Sequence, residues 1–383
     1  MDVINPIVFN AAMVTSATVA ESDHPAWTAG DYVVGNRVIL ASTHRRYECA
    51  AAHTTVAAST SATVTISIAA PAAVTWNAHG LANGAEVVFQ TTGSLPMGLS
   101  PGVKYYVSGA TTNSFNLVAS RAVGAATITT TGTQAGVHTA SATGTSPAAN
   151  SALWIDLGAT NKFAAFDEKW GTQTTATSTL TFDITPGVAV DSLALLNLLG
   201  SSVTVTCKVG GTTIYTKTAT LQTDVGVYDW KTYFVAPIVA AKDLVFTDLL
   251  PYANQVITIT ITGSGTVAIG NVTLGSVVAL GAMEYGAKFG IKSYSVKTTD
   301  AYGNISLSSR PYSKGFEGRL IVPKTFVDQL AGILSSLRDT PAIWIGAGNK
   351  YSSLIVWGFL DDFKFDLAYD QFSFCSLSIE GLV

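Results

Sequence analysis

Few side chains in this sequence are placed to do chemistry. Asp361, Asp362 and Asp366 form its densest group of carboxylates, and a carboxylate pair held about 5–9 Å apart can cleave a glycosidic bond by general acid and base work. Adjacent strand residues point to opposite faces, however, so the sequence favours polar turn residues over a catalytic pair. His44, Cys49 and His53 are separated by four and three residues. They are too few for a structural zinc site, and no fourth ligand is evident. His79 precedes Gly80 at a turn, where a histidine is expected to hydrogen-bond its own backbone. The sequence has no Gly-rich phosphate loop, no G-x-S-x-G elbow and no Cys/His pair spaced for nucleophilic catalysis. The expectation is a non-enzymatic chain without catalytic residue, metal or cofactor. What remains is aromatic: Trp27, Tyr32, Tyr47 and Trp154 in one small unit, and Tyr228, Trp230, Tyr233 and Phe234 in the stretch VGVYDWKTYFVAP.

The first four rings must be positioned by residues 24–54 together with 146–158. Gly30-Asp31 and Gly35-Asn36 are turn signals, and Val33-Val34 and Val38-Ile39-Leu40 suit short strands. This predicts a small β module of two or three strands, completed at Trp154 after a long insertion. A module of that size has little aliphatic bulk, so some rings must serve as its core. On that ground Trp27, Tyr32 and Trp154 are core and only Tyr47, if any ring does, is expected to face outward.

The pattern W-x4-Y-x2-G-x2-V, then Y-x-C, H-T and a closing Trp, resembles small carbohydrate-binding modules of the chitin- and cellulose-binding type, which also occur on phage tail proteins. The resemblance implies sugar stacking on exposed rings, and the matching positions are Trp27, Tyr32, Tyr47 and Trp154. The long interruption after Thr54 departs from the family, where a short loop is usual.

Residues 55–145 are dominated by Ala, Thr, Ser, Gly and Val. Val74–Trp76, Glu86–Gln90, Lys104–Val107 and Ser114–Val118 read as short strands between Gly-, Pro- and Asn-bearing turns. The run W-x2-H-G-L-x2-G-x2-V-x-F, then Y-Y-V and N-x-F-x-L, resembles a β domain of phage tail and fibre proteins, which implies bulk or reach and no chemistry.

Across 383 residues only 12% are charged while 48% are hydrophobic. Such a surface is polar without being charged, which suits β-rich proteins of assemblies better than a free enzyme. The net charge of −4 and the lack of a basic block argue against nucleic-acid binding. Leu193–Leu199 and Val277–Met283 are too short to span a membrane. The N-terminus lacks the features of a secretory signal. Three cysteines, Cys49, Cys207 and Cys375, are far apart and odd in number, which points to synthesis in a reducing cytoplasm.

Residues 1–23 begin with a short apolar strand over Ile4–Phe9 that ends near Asn10, expected to pair with a partner sheet such as that of another subunit. From 159 to 285, runs such as SVTVTCKV, TTIYTKTA and QVITITIT recur about every ten residues with period-two alternation, predicting an antiparallel β-sandwich of jelly-roll type. In this region Trp230, Tyr233 and their neighbours could rim a glycan groove, cover one end of the sandwich or meet a subunit. Residues 286–383 are expected to form an α+β domain whose one helix buries Phe326, Val327, Leu330, Ile333, Leu334 and Leu337. In the last strand Phe372 and Phe374 differ in parity from Leu377 and Ile379, and a bulge near Cys375-Ser376 would realign them.

The segment with PAIWIG, SLIVWGFLDDF and SLSIEGL resembles the C-terminal part of baseplate and distal-tail proteins of long-tailed phages. That resemblance implies a virion protein made in the host cytoplasm, forming a homo-oligomeric ring with other tail proteins. The module adds a host cell-surface polysaccharide as a further partner. The fold class expected is mainly β and multidomain. Two functions stand: a structural tail-tip protein that displays a glycan-binding-like module, or a dedicated adhesin for which polysaccharide recognition is the main task.

Overall fold

The computed structural model describes residues 1–122, 124–222, 229–235, 240–299, 302–310, 312–346, 352–367 and 369–382. The chain is mainly β, and every ladder between its described strands is antiparallel. It divides into two compact units, residues 22–160 and residues 1–21 with 161–383.

In the first unit Trp154–Ala159, Arg45–Cys49 and Arg37–Leu40 form a three-stranded sheet in that order. Residues 60–142 form a closed six-stranded barrel. Its strands run Lys104–Ser108, Ser114–Val118, Ala73–Thr75, Thr60–Ile66, His138–Ala142 and Glu86–Thr91, and the last pairs with the first. Alternation packs Val74, Val87, Phe89, Phe115, Leu117 and Ala140 inside, and closure leaves no free sheet edge. Thr60–Ile66 and His138–Ala142, which carry little apolar contrast, supply the strands that close it.

The second unit is built on a jelly roll. One sheet has the order Leu244–Phe246, Ser192–Leu196, Asn271–Ala279, Asp2–Pro6; the other has Thr212–Thr220, Ser202–Val209, Val256–Ile269, Thr174–Ile184, with Val14–Ala17 at its edge. Taken along the chain, the strands switch sheets in the order that defines two Greek keys. Ile257, Ile259 and Ile261 point into the core, while the alternate threonines face outward and bond across strands. Ser202 and Thr262 hydroxyls lie 2.8 Å apart, and those of Thr204 and Thr218 2.9 Å. This hydroxyl ladder accounts for the polar, uncharged composition of the strands.

The N-terminal strand is not an arm for a partner sheet. Asp2–Pro6 is the first strand of the jelly roll, paired on one side with Asn271–Ala279 and on the other with Ala342–Ile345. The sheet then continues through Ile355–Asp366, Phe372–Gly381 and Tyr312–Pro323, so the expected sandwich and α+β domain share one sheet across residue 285. The strand is central and buried on both faces. Val3 joins a core with Leu320, Trp344, Val356 and Leu377, on which the helix Val327–Leu337 lays Leu330, Leu334 and Leu337. Ile4 joins the opposite core with Leu196, Ile343, Ile355 and Trp357.

The expected bulge near Cys375 also falls elsewhere. Phe372–Gly381 runs in unbroken register against Gly315–Pro323, with Ser373, Cys375, Leu377 and Ile379 inward and Phe372, Phe374, Ser376 and Ser378 outward or half-exposed. The irregularity lies on the neighbouring strand, between Leu360 and Asp362.

Candidate functional site

The module's three-stranded sheet decides which rings can meet a ligand. Val38, Tyr47, Cys49 and Trp154 share its inner face and form a small core with Leu40. Tyr47 is 5% exposed and Trp154 2%, so neither offers a ring face, and the expectation of an outward Tyr47 is corrected by strand parity: Arg46 and Glu48 face the other way. The Trp154 indole N–H donates to the Thr145 carbonyl at 2.8 Å. Tyr32 is half-buried, edge-on to Trp154 with centroids 5.0 Å apart, and its hydroxyl donates to the Thr28 carbonyl at 2.8 Å. Trp27 is also half-buried against this core. Of the four predicted rings, Trp27 and Tyr32 alone keep a partly open surface.

His53 and His79 of the first unit hold local turns by hydrogen bonds. The Cys49 thiol donates to the Ala51 carbonyl at 3.2 Å, and His53 Nδ1 lies 2.8 Å from the same oxygen. Burial pushes the thiol up and the imidazole down, and the Arg121 guanidinium further disfavours the imidazolium. Both effects keep this pair neutral, the opposite of a nucleophile and its base. His79 Nδ1 accepts from Leu81 N at 2.9 Å, a hydrogen bond within its own turn. Among the described residues no group of three or more His, Cys, Asp or Glu side chains is gathered as metal ligands.

Tyr228 lies outside the described residues. Trp230 and Tyr233 sit on the short helix Trp230–Val235 with Phe234, and the three rings touch one another at centroid distances of 5.3–6.4 Å. Trp230 is 79% exposed and Phe234 78%. They therefore do not cover an end of the sandwich.

Asp361 sits in the bulge and Asp362 directly after it, and both are exposed. Asp361 accepts from the Ser378 hydroxyl at 3.3 Å. Asp362 pairs with Lys364, which holds its carboxyl below the usual range, whereas a general acid needs a raised one. Asp366 pairs with Arg319 at 3.1 Å.

Two features of the second unit escaped the sequence. One is a concave outward face of the strands Tyr312–Pro323, Phe372–Gly381 and Ile355–Asp366, ending in Tyr369, Phe372 and Phe374. Its only sequence signal is the shared parity of Phe372 and Phe374. The other is the segment 288–308. Lys288–Ser293 pairs with Tyr312–Glu317, and Val296–Thr299 pairs, among the described residues, with Ile305–Ser308 alone, yet every residue of all three strands is exposed. Ile305 and Leu307 share one face of the hairpin and are 62% and 68% exposed.

No protein-family model matches this chain, and no curated protein matches it significantly. No helix among the described residues is long and apolar enough to cross a membrane.

Proposed function

We propose that this protein is a non-enzymatic structural subunit of a phage tail tip or baseplate, in which residues 1–21 with 161–383 assemble into a homo-oligomer and residues 22–160 are displayed toward the host surface. The observation that supports assembly is the exposed hairpin. A two-stranded ribbon is at best marginally stable in water, and this one holds Ile305 and Leu307 on one face, 62% and 68% exposed, with no core among the described residues against them. A second copy packed on that face supplies the missing burial. The low share of charged residues fits a surface that neighbours cover. Light scattering across a concentration series tests this: the expected result is an oligomer that Ile305→Asp with Leu307→Asp converts to folded monomers. A wild-type chain that stays monomeric at high concentration sinks the assembly reading.

The adhesin reading rests on Trp27 and Tyr32, the two module rings with open surface. Its test is polysaccharide binding that Trp27→Ala abolishes while the fold is retained.

A further inference from the structure

The concave face of the second unit has a chemistry of its own. Register places Glu317, Ser378 and Asp362 in one row across three strands, then Arg319, Ser376 and Lys364, then Ile321, Phe374 and Asp366. From the Glu380 row to the Phe372 row the face extends about 27 Å at roughly 3.4 Å per residue. Two depressions of about 330 and 410 Å³ lie along it, sharing Lys288, Glu317 and Ser378.

Charge narrows the ligand. The lining carries four basic and four acidic side chains, and the charges are largely paired within the face: Lys292 with Glu380 at 2.7 Å, Lys364 with Asp362, and Arg319 with Asp366. A polyanion such as a nucleic acid needs a net positive track, and this face has none. An apolar peptide segment needs an apolar floor, whereas serines and ion pairs line the middle. Fixed donors and acceptors of both kinds, with no net positive charge, match a neutral ligand rich in hydroxyls.

The aromatic end completes the match. Tyr369 is 56% exposed and stacks on Phe372 with centroids 4.7 Å apart and 25° between planes. Phe374 meets both rings edge-on at 5.5 and 5.9 Å, and the Arg319 guanidinium lies 3.8 Å over Phe374. Tyr369 is thus held in plane from behind with its outer surface open. A ring face carries negative quadrupolar charge, which attracts the weakly positive C–H face of a pyranose, while the adjacent guanidinium and carboxylates are placed for its hydroxyls.

We infer that this face binds a neutral oligosaccharide, with Tyr369 as the stacking residue, Arg319 and Asp366 as hydroxyl partners, and Phe372 and Phe374 as positioning residues. The inference goes beyond the tail-assembly reading and does not depend on it.

Saturation-transfer NMR and calorimetry on the full chain, with cellohexaose, maltohexaose, laminarihexaose and N-acetylchitohexaose as probes, test it. At least one probe should bind, with an affinity that changes little between low and high salt. Tyr369→Ala, at an exposed position, should weaken it about tenfold, as should Arg319→Gln. Val34→Ala, at an exposed module position with no part in either binding reading, should leave it unchanged. Four outcomes overturn the inference: none of the four sugars binds to folded protein; Trp27→Ala abolishes binding while Tyr369→Ala does not; only dextran sulfate binds, with steep salt dependence; or Tyr369→Ala abolishes self-association, which makes the face an interface between copies.

Discussion

Ile4→Ala separates two roles for the N-terminal strand. Ile4 is fully buried in a core with Leu196, Ile343, Ile355 and Trp357, and its backbone pairs with Val277 and Ile343. The substitution removes three carbons, or about 2.4 kcal/mol of transfer free energy at roughly 0.8 kcal/mol per group. The pocket lies between paired strands that cannot collapse freely, so a cavity cost of about 1–2 kcal/mol adds to it, for a total near 4 kcal/mol. In a unit of this size about 1 kcal/mol shifts the midpoint by roughly 2–4 °C. Calorimetry on dilute protein should show the transition of this unit lowered by about 10 °C. Val8→Ala is the control, since Val8 is almost wholly exposed and should move the midpoint by less than about 2 °C. If the strand instead completed the sheet of a neighbouring subunit, Ile4→Ala would leave the dilute monomer's midpoint unchanged and weaken association. That result would refute the central placement of Asp2–Pro6 within its own chain's sheet.

Three further outcomes follow from the cores and charges. Lys314 Nζ lies 2.6 Å from Asp243 Oδ2, and the Asp243 side chain is nearly buried, so Lys314→Met should cost about 2–4 kcal/mol in chemical denaturation. That is below the roughly 3–5 kcal/mol of a fully buried pair because the lysine is partly exposed; adding Asp243→Asn should recover part of it. Trp154→Ala should unfold the module, with a loss of about 3–5 kcal/mol, whereas Trp154→Phe keeps most of the packing and loses the bond to Thr145, about 1 kcal/mol; equal losses by circular dichroism would contradict the core role. Burial holds the His53 pKa below its ordinary value near 6.5, so the unfolded chain takes the proton first. The stability His53 contributes is full above about pH 6.5 and falls as the pH drops through the folded value, and a pH series on His53→Gln should lack that fall.

Period-two alternation is a local property, and it made much of this fold legible. In QVITITIT the isoleucines and threonines already separate the buried face from the outer face, and Leu330, Leu334 and Leu337 mark the helix and its inner side in the same way. The antiparallel sandwich followed from strand spacing. Barrel closure did not, because TSATVTI and HTASA offer too little contrast between their faces.

The sequence by itself determined most of the strands, many of the turns, and which side of most strands is apolar. Tertiary structure alone decided who pairs with whom, because ladder hydrogen bonds are the same for every partner. Asp2–Pro6 offers the apolar pair Val3-Ile4 wherever it docks, and only its place between Asn271–Ala279 and Ala342–Ile345 makes it central. The same holds for the last strand, whose outward Phe372 and Phe374 required no bulge of their own once the neighbouring strand carried it at Leu360. Ring exposure is likewise non-local. Tyr47 and Trp27 are both large aromatics in a small module; strand parity put Tyr47 in the core, while Trp27, outside the strands of the sheet, stays partly open.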